Sequence, residues 1–317
     1  MSLRVLITGG LGYLGGRMGR HLAGTGNFDV VLGTRGLAPL PPLGFPARLA
    51  TMRFDDDASL AGAVQGMDCV VHLAAINDTR CAEDPVRALE INGVYTQRLV
   101  AAAIGAGVRR LLYVSTAHVY GAPLAGTIDE RTLPRPRHPY AISHRVAEDC
   151  VLAAHDRREI EGVVARLSNG YGTPLWRDVP CWSLVINDLC RQAVERRRLV
   201  LESDGFQRRD FVPMPDVVRA AEHLLQLAPG QLGDGIFNLG GDAPWTIFAA
   251  AQRIAARGEA LLGAPIPIER PAPSPEARSA AFDFRSEKLK ATGFSLRADP
   301  DAEIDEILRA CAAWFGR

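Results

Sequence analysis

The stretch "TGGLGYLGG", Thr8 to Gly16, decides the fold. It closes the apolar run "LRVLIT" (Leu3 to Thr8), which reads as a strand, and opens a segment of helical spacing from Gly15 to Gly24. Gly9 allows a tight turn, Gly12 lets the backbone approach a pyrophosphate, and Gly15 lets the helix pack closely on the strand. The helix start, with Tyr13 and Leu14, offers unsatisfied N–H groups to phosphates. A glycine turn set between a strand and a helix in this way points to dinucleotide binding. A purely structural turn is the plainer alternative.

Working outward, short β-branched runs alternate with longer helical patterns. "DVVLGT" (Asp29 to Thr34), "DCVVHLA" (Asp68 to Ala74), "RLLYVST" (Arg110 to Thr116) and "GVVARLS" (Gly162 to Ser168) are nearly continuous in apolar residues, as strands buried on both faces must be. Helical spacing marks Ser59 to Gln65, Pro85 to Gly107 and Pro139 to His155 between them. The order predicts an α/β chain with a Rossmann-type doubly wound parallel sheet. From about residue 171 the pattern loosens, with clear helices only at Asp216 to Leu227 and Thr246 to Leu262 and a proline-rich loop beginning near Gly263. We expect residues 1–170 to form the nucleotide-binding domain, with some later segments returning to it, and residues 171–317 to form mainly a smaller C-terminal substrate-binding lobe.

Bulk properties agree with an ordinary soluble globular protein. The 317 residues carry 36 basic and 36 acidic side chains, so no broad electrostatic field favours nucleic acid or a membrane surface. No apolar run approaches a membrane span, and the N-terminus lacks the form of a signal peptide. The six cysteines are scattered without a CxxC pair or a histidine cluster, so neither a disulfide framework nor a metal site is expected. A cytoplasmic location follows as an expectation.

The end of the second strand bears on which dinucleotide binds. An acid there would accept hydrogen bonds from the adenosine 2′-hydroxyl, but the chain has Thr34 followed by Arg35. A guanidinium suits a 2′-phosphate, which favours NADP over NAD. Arg35 as a solvated turn residue is the alternative.

With these motifs in place the chain resembles the extended short-chain dehydrogenase/reductases, the nucleotide-sugar epimerase and dehydratase group. "TGGLGYLG", "HLAA" (His72 to Ala75), Asn92 in "EINGVYTQRLVAAA", "VSTAHVYG" (Val114 to Gly121), "PYAISH", "RLSNGYG" (Arg166 to Gly172), "RRDFVPMPDVVRA" and "FNLGG" (Phe237 to Gly241) match the family's motifs in order. The resemblance implies that Thr116 hydrogen-bonds the reacting sugar oxygen and that Tyr140 moves its proton. It implies that Leu73, Ala74 and Ala75 lie along the cofactor, with Asn92 supporting that site. Asn169 and Arg209, with Arg278 as a weaker candidate, would contact a substrate diphosphate. A homodimer built on the helices Pro85 to Gly107 and Pro139 to His155 is also implied.

Two positions depart from the family pattern. The lysine expected four residues after the tyrosine is His144, whose imidazole has a reference pKa of about 6.5 and so supplies little permanent charge. A tyrosine acting as base must fall from about 10 toward neutrality, near 4 kcal/mol of help from its neighbours. His144, like Tyr140 among the cofactor-binding residues the resemblance implies, could still hydrogen-bond a ribose hydroxyl, and a phenolate beside it would raise the imidazole's pKa and recover part of that help. At the strand end the dehydratases' Asp-Glu pair is replaced by Ala117 and His118, and His118 is placed to act as a base next to a transient ketone. A histidine bonded to the loop around Glu130 is the alternative.

The expected function is an NAD(P)-dependent nucleotide-sugar epimerase or keto-sugar reductase. Reduction of a non-nucleotide ketone or aldehyde, and a cofactor-binding sensor that has lost catalysis, stay open beside it.

Overall fold

A computed structural model describes residues 2–36, 41–242, 244–272 and 281–316. The chain begins β1 (Leu3–Thr8), α1 (Tyr13–Thr25), β2 (Phe28–Thr34), β3 (Arg48–Thr51), α2 (Asp57–Val64) and β4 (Cys69–His72). It continues through α3 (Asp78–Glu83), α4 (Pro85–Ala88), a π-helical turn (Leu89–Val94), α5 (Tyr95–Gly105) and β5 (Arg110–Thr116). A 3-10 turn (Ala117–Tyr120), β6 (Gly126–Ile128), α6 (Pro139–Asp156) and β7 (Glu161–Leu167) follow. Next come β8 (Asn169–Tyr171), α7 (Val185–Arg196), β9 (Leu199–Val200), β10 (Arg208–Pro213), α8 (Met214–Gln226) and β11 (Ile236–Leu239). The described chain ends with β12 (Pro244–Thr246), α9 (Ile247–Leu262), β13 (Ile268–Glu269), β14 (Phe282–Phe284), α10 (Glu287–Ala291) and α11 (Pro300–Phe315).

Seven strands form one sheet in the order β11-β7-β5-β4-β1-β2-β3, and every neighbouring pair is parallel. Alternation along β1 explains why both faces are covered: Val5 and Ile7 join one core with α1 and α8, while Leu6 joins the opposite core with α5 and α6. The order reverses between β1, which pairs with β2 on one side, and β4 on the other. A crevice at the carboxyl ends of these strands is where α/β sheets bind ligands. β11 and α8 bring residues beyond 170 back to this sheet and its core. A further core gathers apolar faces of α7, α9 and α11, including Leu189, Ile254 and Leu308.

The helix expected as one piece from Pro85 to Gly107 is interrupted. A π-turn at Leu89–Val94 widens it where Gly93 packs against α6; a Cβ there would meet Val146 at 2.9 Å. The carbonyl of Asn92 is satisfied instead by the Thr96 hydroxyl at 2.6 Å. β4 ends at His72, short of the expected Ala74, because the N–H groups of Leu73 and Ala74 turn to donate to Thr8 Oγ1 at 3.1 Å each. Among the described residues no helix is long and apolar enough to cross a membrane.

Candidate active site

The glycine turn is shaped by contact as well as conformation. Gly9 has φ +65°, and a Cβ on Gly15 would collide with the Gly9 carbonyl oxygen, so only glycine lets α1 begin this close to the turn. Gly12 caps α1 with no side-chain hydrogen bond, leaving the N–H groups of the first turn, Tyr13 and Leu14 among them, for an anion. The Tyr13 phenol is engaged elsewhere: it donates to the Gly172 carbonyl at 2.8 Å, tying α1 to the segment after β8. At the end of β2, Thr34 Oγ1 accepts from Gly36 N at 3.3 Å. Arg35 is exposed and makes no hydrogen bond among the described residues.

A chain of hydrogen bonds holds the ends of β1 and β4 together. Thr8 Oγ1 accepts from two backbone N–H groups, so its own proton goes to His72 Nδ1 at 2.7 Å. His72 Nε2 then donates to the Thr96 hydroxyl at 2.9 Å. Burial lowers the His72 pKa to about 3, which keeps this ring neutral. Ala74 packs against Gly9, placing the Leu73–Ala75 segment beside the glycine turn. Asn92 is fully committed within the protein: its Oδ1 accepts from Ile76 N at 2.9 Å and its Nδ2 donates to Ser143 Oγ at 3.0 Å. It is a buried brace between the loop after β4 and α6.

α6 starts with Pro139 in its first turn, and the His138 ring accepts from Tyr140 N. Tyr140, Ser143 and His144 then share one helical face. Burial, then the nearby Asp78 carboxylate, pushes the Tyr140 pKa up to about 12, against the opposite pull of the Thr116 side chain at the end of β5, which favours the anion. His144 lies 4.3 Å from Tyr140 between ring centroids and is 4% exposed. Its Nδ1 is 2.5 Å from the Tyr113 hydroxyl, while Nε2 is buried without a partner among the described residues. Burial, then the charge of His118, lowers the His144 pKa to about 3. With the phenol protonated, desolvation dominates, and the pair rests as a neutral phenol beside a neutral ring.

The 3-10 turn after β5 opens into the crevice. Thr116 Oγ1 accepts from His118 N at 3.2 Å, and the His118 side chain makes no hydrogen bond among the described residues. Glu130 accepts from Asn238 N instead. The His118 ring is open to solvent on one side and crowded on the others; that crowding, then the Arg209 charge, lowers its pKa. Arg209 itself is half-buried, has its pKa lowered by burial, and has no hydrogen-bonding or ionic partner among the described residues. An uncommitted, partly desolvated guanidinium is a ready anion site. Asn169 spends its amide on the Asp210 carbonyl at 2.8 Å, joining β8 to β10. Arg278 lies outside the described residues.

Sequence reasoning missed three side chains here. Asp78 opposes ionisation of Tyr140; Ser143, one turn along α6, receives Asn92; and Tyr113 holds His144. Ser143 could have been found from its i+3 spacing to Tyr140, whereas Tyr113 reads only as one more strand residue.

The model of the NAD dependent epimerase/dehydratase family matches residues 5–240. The dTDP-glucose 4,6-dehydratase of Streptomyces griseus is 32% identical over 77% of this chain and 75% of its own length. The UDP-glucose 4-epimerase of Streptomyces lividans is 35% identical over 73% of this chain and 71% of its own. The chain spans about half the length of the dTDP-D-glucose 4,6-dehydratase of Mus musculus, matching 52% of it at 34% identity over 60% of this chain. Among solved structures, the UDP-glucose 4-epimerase of Thermus thermophilus in complex with NAD superimposes with a TM-score of 0.81, at 23% identity over 98% of this chain and 100% of that one. RMD from Pseudomonas aeruginosa complexed with NADPH gives 0.78, at 23% identity over 98% and 99%. Both show the same fold.

Proposed function

The chain belongs to the NAD dependent epimerase/dehydratase family, and from that premise we propose that it epimerises a nucleotide-linked sugar or reduces the keto group of a nucleotide-linked keto-sugar. Its relatives act on dTDP- and UDP-linked glucose. The observation that carries the proposal is the Tyr140 phenol at the start of α6, its ring 4.3 Å from that of His144, with Thr116 neighbouring it at the carboxyl end of β5. Tyr140, protonated with a pKa of about 12, supplies a proton to a carbonyl oxygen that Thr116 orients. Arg209 anchors the anionic diphosphate, and His118 faces the same crevice as a base for epimerisation. Water elimination by the dehydratase route is disfavoured, because Ala117 and His118 stand where that chemistry needs two carboxyls.

The residues present fit a dinucleotide: a glycine turn with no room for a Cβ at Gly10 or Gly15, uncapped N–H groups at α1, and a ring nitrogen on His144 with no partner among the described residues. The cofactor, when bound, supplies or receives hydride. We propose NADP as the preferred form on the strength of Arg35, with NAD as the alternative. A homodimer is proposed through the face shared by α4, the π-turn and α6, where Val86, Val94 and Ile142 are 77%, 53% and 40% exposed.

The test is a panel of nucleotide-linked keto-sugars and sugars incubated with NADPH or NADH. Consumption of reduced cofactor or inversion of a carbinol is expected, and Tyr140→Phe should abolish it while leaving dinucleotide binding intact. Unchanged turnover in Tyr140→Phe would remove the proposal. The observation that favours a sensor instead is the neutral His144: binding without turnover in the parent, with turnover restored by His144→Lys, would establish that reading.

A further inference from the structure

We infer that Tyr113 is a positioning residue that locks His144 in the tautomer carrying its proton on Nε2, so that the ring offers a neutral N–H donor to a hydroxyl oxygen of the bound dinucleotide. The inference deepens the functional reading above and rests on it. It starts from a proton count. The Tyr113 side chain is 2% exposed, and among the described residues its hydroxyl has one partner, His144 Nδ1 at 2.5 Å. A buried phenol has one proton to donate and seeks an acceptor for it. If Nδ1 carried the ring proton, the phenol's proton would face no acceptor and Nε2 would be an empty acceptor in a buried site. With the phenol donating to Nδ1, the ring proton moves to Nε2 and a single donor is left over.

That donor is the unpartnered Nε2 of a side chain 4% exposed. Leaving it unmet costs about 1–3 kcal/mol, so its retention points to a ligand atom that meets it. The ring is also sterically fixed: Tyr113 stacks on one side with centroids 5.8 Å apart, and Tyr140 lies tilted on the other at 4.3 Å. Burial holds the imidazole uncharged, which makes it a donor suited to a neutral hydroxyl rather than to a phosphate. The ribose hydroxyl expected from the family resemblance is an oxygen of that kind, and the Tyr113–His144 pair fixes the donor that would meet it.

Ring ¹⁵N NMR of the full chain labelled at histidine, with His144→Phe used to assign the signal, reads the tautomer directly. In the parent, Nε2 should be protonated and Nδ1 an acceptor, without titration across about pH 6 to 8, and the Nε2 signal should move when NADPH is added. Tyr113→Phe should lose the single-tautomer pattern and bind NADPH about tenfold more weakly, with a matching loss in His144→Phe. A proton on Nδ1 or a charged ring in the parent would overturn the inference, as would unchanged NADPH affinity in Tyr113→Phe. If the parent binds neither dinucleotide, the functional reading above falls and this inference with it. Binding by the parent with Nε2 unmoved overturns the inference alone.

Discussion

Replacing His144 by lysine places a permanent charge beside a phenol whose pKa stands at about 12. The two rings are 4.3 Å apart between centroids. At about 4 to 6 Å and an effective dielectric near 20, a unit charge stabilises a neighbouring anion by about 3 to 4 kcal/mol, or about 2 to 3 pKa units. The phenolate is the base form, so oxidation of a sugar alcohol should rise with pH and level off at the tyrosine's pKa. His144→Lys should shift that plateau down by about 2 to 3 pH units relative to the parent. An oxidised cofactor adds the same charge to both proteins and leaves the difference intact. At neutral pH the variant then holds at least about 100-fold more phenolate; a weaker base returns part of that, leaving a gain of about tenfold or more. The assay is the rate of cofactor reduction across pH for both proteins with one nucleotide-sugar alcohol. Coincident profiles, or a parent that levels off at the lower pH, would refute the argument that a neutral imidazole leaves Tyr140 unaided.

Arg35→Ala should weaken NADP binding about tenfold and leave NAD unchanged; titration with both dinucleotides checks this, and an equal effect on the two removes Arg35 from cofactor choice. Asn92→Ala takes the acceptor from Ile76 N and the donor from Ser143, so urea unfolding should show a loss of about 1–3 kcal/mol, and a loss below about 0.5 kcal/mol would show that neither bond matters. Asp210 is buried, and its carboxyl is pushed up to about 6 by that burial, against hydrogen bonds from Ser168 and Gly241. Because the folded pKa is the higher one, the contribution is fully present below about pH 4 and is lost as pH rises through about 6. Asp210→Asn should therefore gain on the parent by up to about 3 kcal/mol between those limits, and parallel stability curves would contradict this.

Much of the fold was legible because its signals are local. β1 and β5 occupy the expected residues, since an apolar run buried on both faces needs no distant information to be recognised. The glycine turn was equally legible: φ at Gly9 and the lack of room at Gly15 are properties of a few adjacent residues. β3 and α7 were not read, because Arg48–Thr51 is short and mostly exposed and α7 takes its meaning from packing on α9 and α11. The π-turn was invisible for a related reason, as it answers to Val146 on another helix.

By itself the sequence determined the alternation of strands and helices, the glycine turn, and which side chains could carry the proposed chemistry, because spacing along the chain dictates which face each residue takes. Only the tertiary structure decided what those side chains are. Desolvation depends on everything packed around a group, and it is packing that turns His144 from a possible cation into a neutral ring held by Tyr113 and keeps the proton on Tyr140.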